Sequence, residues 1–295
     1  MKRAAVLIFV FALLLSSAAY AEDGFKLAIG YQAMYRDMPI DIRDAGMSGT
    51  SVTGLSADFK LDGMMHAPFV SIGYEQGPLF TRFMFDYNIS SGGKLKIKSL
   101  PYDAMSYLDR TSLKVDAEMW KLEGNIGYKV YDHNNIALTP YLGFGYRNSS
   151  ATLKESPSDY VSISEIPADV TVEHKTPYVS FGVIAKYSQP VWSVGLDVAA
   201  LVSFAGKVSA CYDNVCISAN NDVGAGVRAM IPVTYTLVPK KGNKVGVELF
   251  VTPFFEYLSS DTSIALNVGG PGPITGKINL NDYSYGGKFG VGFTF

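Results

Sequence analysis

The sequence predicts an all-β protein: a closed, antiparallel transmembrane β-barrel of ten strands, following a cleaved signal peptide. Three observations carry this. Apolar residues alternate with other residues over ten segments, the period of a strand with two unlike faces. The connections between segments are short and long by turns. Aromatic residues gather at both ends of the apolar faces. Composition fits: of 295 residues, 48% are hydrophobic and 18% charged, with 19 Tyr and 17 Phe. The formal charge of -2 is too mixed for a dedicated nucleic-acid binder. Two cysteines cannot build a disulfide scaffold or a zinc ribbon.

Residues 1-21 form an export signal. Lys2 and Arg3 precede an apolar run from Ala4 to Leu15, and Ala19-Tyr20-Ala21 fits the small-x-small cleavage rule. The run is shorter than the ~20 apolar residues of a spanning helix. The remaining residues, 22-295, read as a single barrel domain.

The first strand shows Phe25, Leu27, Ile29, Tyr31, Ala33 and Tyr35 on one face. The second ends in Val70, Ile72 and Tyr74, and Gln76-Gly77-Pro78 turns the chain into the third, Leu79 to Ile89. The fourth runs from Trp120 to Val130 and ends in the turn Asp132-His133-Asn134-Asn135. Met119 beside Trp120 breaks its phase, which suggests a bulge. The fifth spans Ile136 to Tyr146, and the sixth Pro177 to Tyr187 with a turn at Ser188-Gln189-Pro190. The seventh spans Trp192 to Phe204, the eighth Val223 to Leu237, the ninth Val245 to Tyr257 and the tenth Tyr285 to Phe295. Pro140, Pro177 and Pro253 fall inside strands, where each removes a ladder donor; bulges or strand ends would accommodate them.

The opposite faces hold the charges: Arg82, Asp86, Lys121, Glu123, Arg147, Lys186, Asp197, Arg228, Glu248, Glu256 and Lys288, with Glu75 and Lys129. A soluble sandwich would turn such a face to water. A membrane barrel turns it to the lumen. The connections favour the barrel: four are tight, and five are long, at residues 37–65, 90–111, 148–173, 206–221 and 259–283. Beside the long loops stand Tyr35, Tyr87, Tyr146, Phe204, Tyr257 and Tyr285. Beside the short turns stand Phe25, Tyr74, Tyr128, Tyr187, Trp192, Tyr235 and Phe293. These are two interfacial girdles. At ~3.3 Å per residue and a ~40° tilt, the span from Phe25 to Tyr35 is about 25 Å along the membrane normal, the height of the apolar band. The chain ends on an outward Phe295, which resembles the signal recognised by barrel-insertion machinery. The expected location is therefore the outer membrane of a Gram-negative-type bacterium, with lipid and lipopolysaccharide around the barrel and an unidentified extracellular ligand for its loops.

Candidate chemistry is sparse. His133 lies in a short turn, while His66 and His174 lie at the outer rim, and no metal-ligand spacing surrounds any of them. No cofactor is expected. Cys211 and Cys216, in the fourth long loop, fit an intraloop disulfide in an oxidising compartment. The lumen charges read as a mutually satisfied plug or, alternatively, as a narrow ion path. Lys94-Leu95-Lys96-Ile97-Lys98 is a small basic alternation in the second loop, suited to anionic headgroups or to the top of a hairpin. Gly269-Gly270-Pro271-Gly272-Pro273 makes the fifth loop's tip irregular.

Pro177-Tyr178-Val179-Ser180-Phe181-Gly182, continuing to Trp192-Ser193-Val194-Gly195-Leu196, and Leu142-Gly143-Phe144-Gly145-Tyr146-Arg147 resemble strands of the omptins, outer-membrane proteases of ten strands and five long loops. The resemblance implies a catalytic acidic pair on the second loop and an Asp–His couple on the fourth. After Gly92-Gly93 this chain reads Lys94-Leu95-Lys96 where the acidic pair would fall, and the fourth loop holds Asp213 but no His. No omptin catalytic residue carries over. The expectation is a non-enzymatic barrel of omptin-like architecture that exposes five loops for surface interaction or adhesion. The alternatives are a divergent omptin-like protease, using Asp86 with His66 or His174, and a small porin-like channel.

Overall fold

The computed structural model describes residues 24–47, 55–99, 112–153, 171–204, 206–212, 215–220, 222–242, 244–266 and 274–295. Residues 1-21, the Gly269–Pro273 tip and Asp213 lie outside them. Fourteen strands follow in chain order: β1 (Phe25–Met47), β2 (Leu55–Gln76), β3 (Leu79–Ser99), β4 (Ser112–Tyr128), β5 (Tyr131–His133), β6 (Ile136–Leu153), β7 (Thr171–Ser188), β8 (Trp192–Ser203), β9 (Lys207–Tyr212), β10 (Val215–Asn220), β11 (Gly224–Met230), β12 (Val233–Val238), β13 (Gly246–Leu266) and β14 (Ile274–Thr294).

They make ten staves. β5 prolongs β4, β11 and β12 are two parts of one stave, and β9–β10 is an additional hairpin. Around the ring the order is β1-β2-β3-β4-β6-β7-β8-β11/β12-β13-β14, every neighbour antiparallel. β14 then pairs with β1 from Lys26↔Thr294 to Met47↔Ile274, closing the barrel. Closure satisfies every stave on both sides, as a hydrocarbon surround demands.

The alternation places apolar side chains outside. Ile29, Phe144, Phe181, Val251 and Phe289 are each about half exposed, whereas Glu123 is 0% and Asp197 1% exposed. This inversion of a water-soluble core identifies the outer surface as the lipid-facing one. Gly24 and Phe295 share one end with the short turns, where Gly77 (φ 55°) and Asn134-Asn135 (φ 50° and 66°) adopt the left-handed conformation that tight hairpins require.

Several details differ from the sequence expectation. Much of the five long loops is strand: β1, β2, β3, β6, β13 and β14 all continue past the outer aromatic level. The ladder continues because these segments keep finding cross-strand partners, such as Asp41↔Asn279 and Lys96↔Ser112. At ~3.3 Å per residue, the 23 residues of β1 run about 75 Å, far more than an apolar band requires. The surplus is a β crown. The basic run Lys94–Lys98 belongs to it, within β3. The fourth loop contains the β9–β10 hairpin, and β9 pairs with β7 from Thr171↔Cys211 to Lys175↔Lys207.

There is no bulge at Met119-Trp120: both keep register with β3 and β6. Trp120 points outward and packs on Tyr146 at 5.1 Å, while Met119 faces an apolar layer of the lumen with Met34, Met65 and Ala117. The apparent break in phase came from an apolar residue on the inner face. Asp132 and His133 belong to β5, so the turn is only Asn134-Asn135.

The prolines sit where ladders change hands. Pro140 lies opposite the gap between β4 and β5. Pro177 stands where β7 exchanges β9 for β8 as its partner. Pro253 faces the Ile231-Pro232 break that divides β11 from β12.

Candidate functional site

The inner face of the barrel carries the densest chemistry. Its residues alternate with the lipid-facing ones: Arg36 on β1, Arg82 and Asp86 on β3, Lys121 and Glu123 on β4. Arg147 on β6, Asp197 on β8, Arg228 on β11, Glu256 on β13, and Asp282 and Lys288 on β14 complete the set. Of the charged residues expected there, Lys186 and Glu248 stand apart. They lie at the short-turn mouth with Lys26 and Glu75, which bond each other at 2.8 Å, and make no ion pair among the described residues.

The bonds run across the barrel. Arg147 Nη1 donates to Asp282 Oδ2 at 2.7 Å and Arg147 also pairs with Glu256. Lys121 Nζ donates to Glu256 Oε2 at 2.5 Å. Around the ring β6 and β14 are five places apart, as are β4 and β13, so the Arg147–Asp282 and Lys121–Glu256 bonds span the diameter. Arg228 grips Glu123 with both terminal nitrogens, Nη2 to Oε1 at 2.7 Å, over four places. Arg82 Nη2 reaches Asp197 Oδ2 at 2.9 Å over four more.

Hydroxyls complete the network. Tyr178 donates to Glu123 Oε2 at 2.7 Å and Tyr141 to Asp197 Oδ1 at 2.6 Å, while Arg228 Nη2 donates to the Tyr141 oxygen at 3.1 Å. Arg36 clasps Asp282 through Nε (2.9 Å) and Nη2 (2.7 Å), and also reaches Ser149 at 3.1 Å. Lys288 Nζ holds both oxygens of Asp86, at 3.1 and 3.0 Å. Such bidentate geometry is what offsets the desolvation of buried charge.

Two glycines let the tyrosines cross. A Cβ at Gly145 would lie 2.1 Å from the Tyr178 ring, and one at Gly182 2.3 Å from that of Tyr141. Between the ionic groups lie apolar layers: Tyr141, Tyr178, Ala199, Leu201 and Leu258 in one, and Met34, Met65, Ala117 and Met119 in another. The lumen is thus half apolar, not a wholly charged interior. A pocket of about 30 Å³ lies among Gln32, Asp86, Lys121, Arg228, Glu256 and Lys288.

Arg36 and Asp282 were missed from sequence because they fall at or beyond the outer girdle, where loops were expected. The signal was present: Arg36 continues the inward phase of Gln32 and Met34, and Asp282 that of Ser284 and Lys288.

The aromatic residues of the outer level meet in the cross-strand pairs Tyr35–Tyr285, at 5.4 Å, and Tyr257–Tyr283, at 4.7 Å, and Phe144 meets Phe204 across β7 at 6.3 Å. Tyr87 donates to Glu118 at 3.3 Å. At the short-turn level Tyr187 meets Trp192 at 5.6 Å, and Tyr128 and Tyr235 are exposed. Tyr74 and Phe293 are cross-strand neighbours of Phe25 and Leu27 respectively. Phe25 is buried against Phe295, at 5.7 Å.

The histidines do not converge. His66 is exposed on the outer face, stacked on Tyr31 at 5.9 Å. His174 is buried inside, bonded to Thr176 at 2.9 Å. With Asp86 held by Lys288, an Asp86–histidine pairing has no support in the geometry. His133 packs edge-on against Tyr131 among the short turns. Among the described residues no cluster of three His, Cys, Asp or Glu could hold a metal. In the crown, a hydrogen bond to Asp37 (2.7 Å) raises the Lys60 ammonium above the usual lysine range, and one to Glu173 does the same for Lys175. Cys211 and Cys216 are direct cross-strand partners.

No family model matches the chain, and no curated protein matches it. Among solved structures it is similar to the outer membrane protease OmpT of Escherichia coli, with a TM-score of 0.59 and 11% identity over 92% of this chain and 97% of that one. Weaker likenesses are the translocator domain of the autotransporter NalP from Neisseria meningitidis (TM-score 0.39, 10% identity, 99% and 96% covered) and OprG from Pseudomonas aeruginosa (0.38, 11%, 92% and 96%). At these identities the likeness is one of fold: the chain is an outer-membrane-type β-barrel.

Proposed function

We propose that this chain is a sealed outer-membrane barrel of a Gram-negative-type bacterium, without peptidase activity, whose rigid β crown is its working surface for an extracellular ligand. The observation that carries this reading is the set of ion pairs joining strands four or five places apart across the lumen. Each is a strut through the space an ion would traverse, and the apolar layers between them offer a permeating ion no solvation. Against catalysis speak the separation of His66 and His174 on opposite faces of the wall and the basic run Lys94–Lys98 in place of an acidic pair. An export signal at 1-21, insertion machinery reading β14 and its terminal Phe295, and lipid with lipopolysaccharide around the apolar belt belong to the same reading. So does a Cys211–Cys216 disulfide, supported by their cross-strand register.

The test has two arms on protein reconstituted with lipopolysaccharide. Planar-bilayer recording is expected to give no discrete conductance steps, and a mixed peptide library is expected to remain intact. Steps would overturn the sealed lumen; cleavage would overturn the absence of peptidase activity.

A further inference from the structure

The four short turns differ in charge. Gln76-Gly77-Pro78 and Ser188-Gln189-Pro190 carry none, and beside Asn134-Asn135 the Lys129 ammonium holds Asp132 at 3.0 Å. The turn between β12 and β13 reads Pro239-Lys240-Lys241-Gly242-Asn243-Lys244, three cations and no acid. None of these lysines makes an ion pair among the described residues.

The geometry of the turn sets two of them side by side. Lys244 N donates to the Lys241 carbonyl at 3.0 Å, Gly242 (φ 54°) supplies the left-handed residue, and Lys241 and Lys244 are antiparallel bridge partners. Both are exposed, and Lys240 is half-buried. Like charges directly opposite each other repel, and no described carboxylate offsets these two.

The place of the turn defines the counter-charge. It closes a hairpin whose outer face meets lipid: Tyr235 is 53% exposed, Leu237 51% and Val245 39%. Tyr235 is the cross-strand partner of Trp192, which packs on Tyr187 in the short-turn girdle. The lysines therefore stand where the apolar wall ends. At that level a lysine lays its methylene stem along the wall and keeps its ammonium among headgroups. A cell-wall polyanion would have to reach the turn from the aqueous side, whereas a phospholipid phosphate is already beside it.

We propose that this turn is a binding site for anionic phospholipid headgroups in the leaflet at the short-turn end of the barrel. Lys241 and Lys244 hold the phosphate between them, and Lys240 adds to the field. Each lysine close to an anionic headgroup favours its association by about fivefold. The site lies apart from the crown and does not depend on a sealed lumen; it rests on the outer face meeting lipid.

The test reads the lipid beside Trp192, since the chain has only two tryptophans and Trp120 packs on Tyr146 at the opposite girdle. The full barrel carrying Trp120→Phe is reconstituted in nanodiscs of phosphatidylcholine with a minor fraction of phosphatidylglycerol, one or the other brominated near the head of its chains. Quenching of Trp192 is expected to show phosphatidylglycerol enriched at least about fivefold over its bulk fraction at low salt. The enrichment should vanish in Lys240→Gln/Lys241→Gln/Lys244→Gln and persist in the corresponding triple arginine variant. It should also vanish at about 1 M salt, where the screening length is ~3 Å. Bulk composition beside Trp192 in the native turn, or enrichment that survives the glutamine substitutions, would overturn the proposal. Should the glutamine variant fail to fold, enrichment that withstands the salt would overturn it as well. Purified peptidoglycan bound through these lysines, with no lipid preference, would assign the turn to the cell wall instead. Conductance or peptide cleavage would sink the function proposed above and leave this site standing.

Discussion

Glu123 holds more of the lumen together than any single alternation pattern suggests. It receives both terminal nitrogens of Arg228 and the Tyr178 hydroxyl, with Lys121 at 3.6 Å, and is wholly buried. Removing its charge strands a guanidinium in the interior. Glu123→Ala is expected to lower unfolding free energy by about 3–5 kcal/mol, because the uncompensated charge costs more than the pair contributes. Replacing Glu123 and Arg228 together by Met should recover most of that loss; urea unfolding in micelles measures both. In the crown, Lys60 offers a pH test. Its partner Asp37 raises the folded-state pKa, so the stabilisation is complete below the unfolded lysine value of ~10.4. It is lost as pH climbs through the higher folded value. For a surface pair this amounts to a few tenths of a kcal/mol. Nitrogen-detected NMR of the ammonium should show Lys60 titrating above its ordinary range in the native protein and returning to it in Asp37→Asn; equal midpoints would dismiss the pair.

At the scale of elements, the prolines and the hairpin follow one rule. Where a neighbouring strand stops or is exchanged, a proline costs no ladder bond, and Pro140, Pro177 and Pro253 occupy such places. The β9–β10 hairpin is paired on one side by β7, and between β10 and β13 there is no ladder among the described residues. The proposed cross-link of Cys211 and Cys216 would compensate for that weaker tether. Closing this six-residue loop is worth about 2 kcal/mol by chain entropy. Cys211→Ser should therefore hasten amide exchange in β9, β10 and the crown-side residues of β7, Thr171 to Lys175, and leave mid-barrel amides unchanged. Unaltered exchange in the hairpin would show that the cysteines are not linked.

At the scale of the whole molecule, stability depends on which face meets hydrocarbon. Ile29 lies near the middle of the apolar belt and is 48% exposed. Ile29→Arg is expected to cost ~2–4 kcal/mol in folding from urea into bilayers, the penalty for a cation near the midplane. A variant that folded as well as the native chain would place Ile29 off the lipid surface.

The ten-stave plan was readable from one sequence because a barrel wall has a period of two and only two environments. Tyr285, Phe289, Val291 and Phe293 against Gly286, Lys288 and Gly290 state both faces at once. The same local rule misled where it met exceptions: Met119, an apolar residue facing inward, looked like a bulge. The crown was hidden because polar strands above the membrane alternate weakly, and only their partners reveal them. Alternation settles which way a side chain points, since that is decided by the residue's own backbone. It is silent on what lies opposite. That Arg147 meets Asp282, 135 positions away, or that Lys186 and Glu248 stay at the mouth, depends on ring order and stagger. These are properties of the closed sheet, and through them the three-dimensional structure alone decided which charges meet across the lumen.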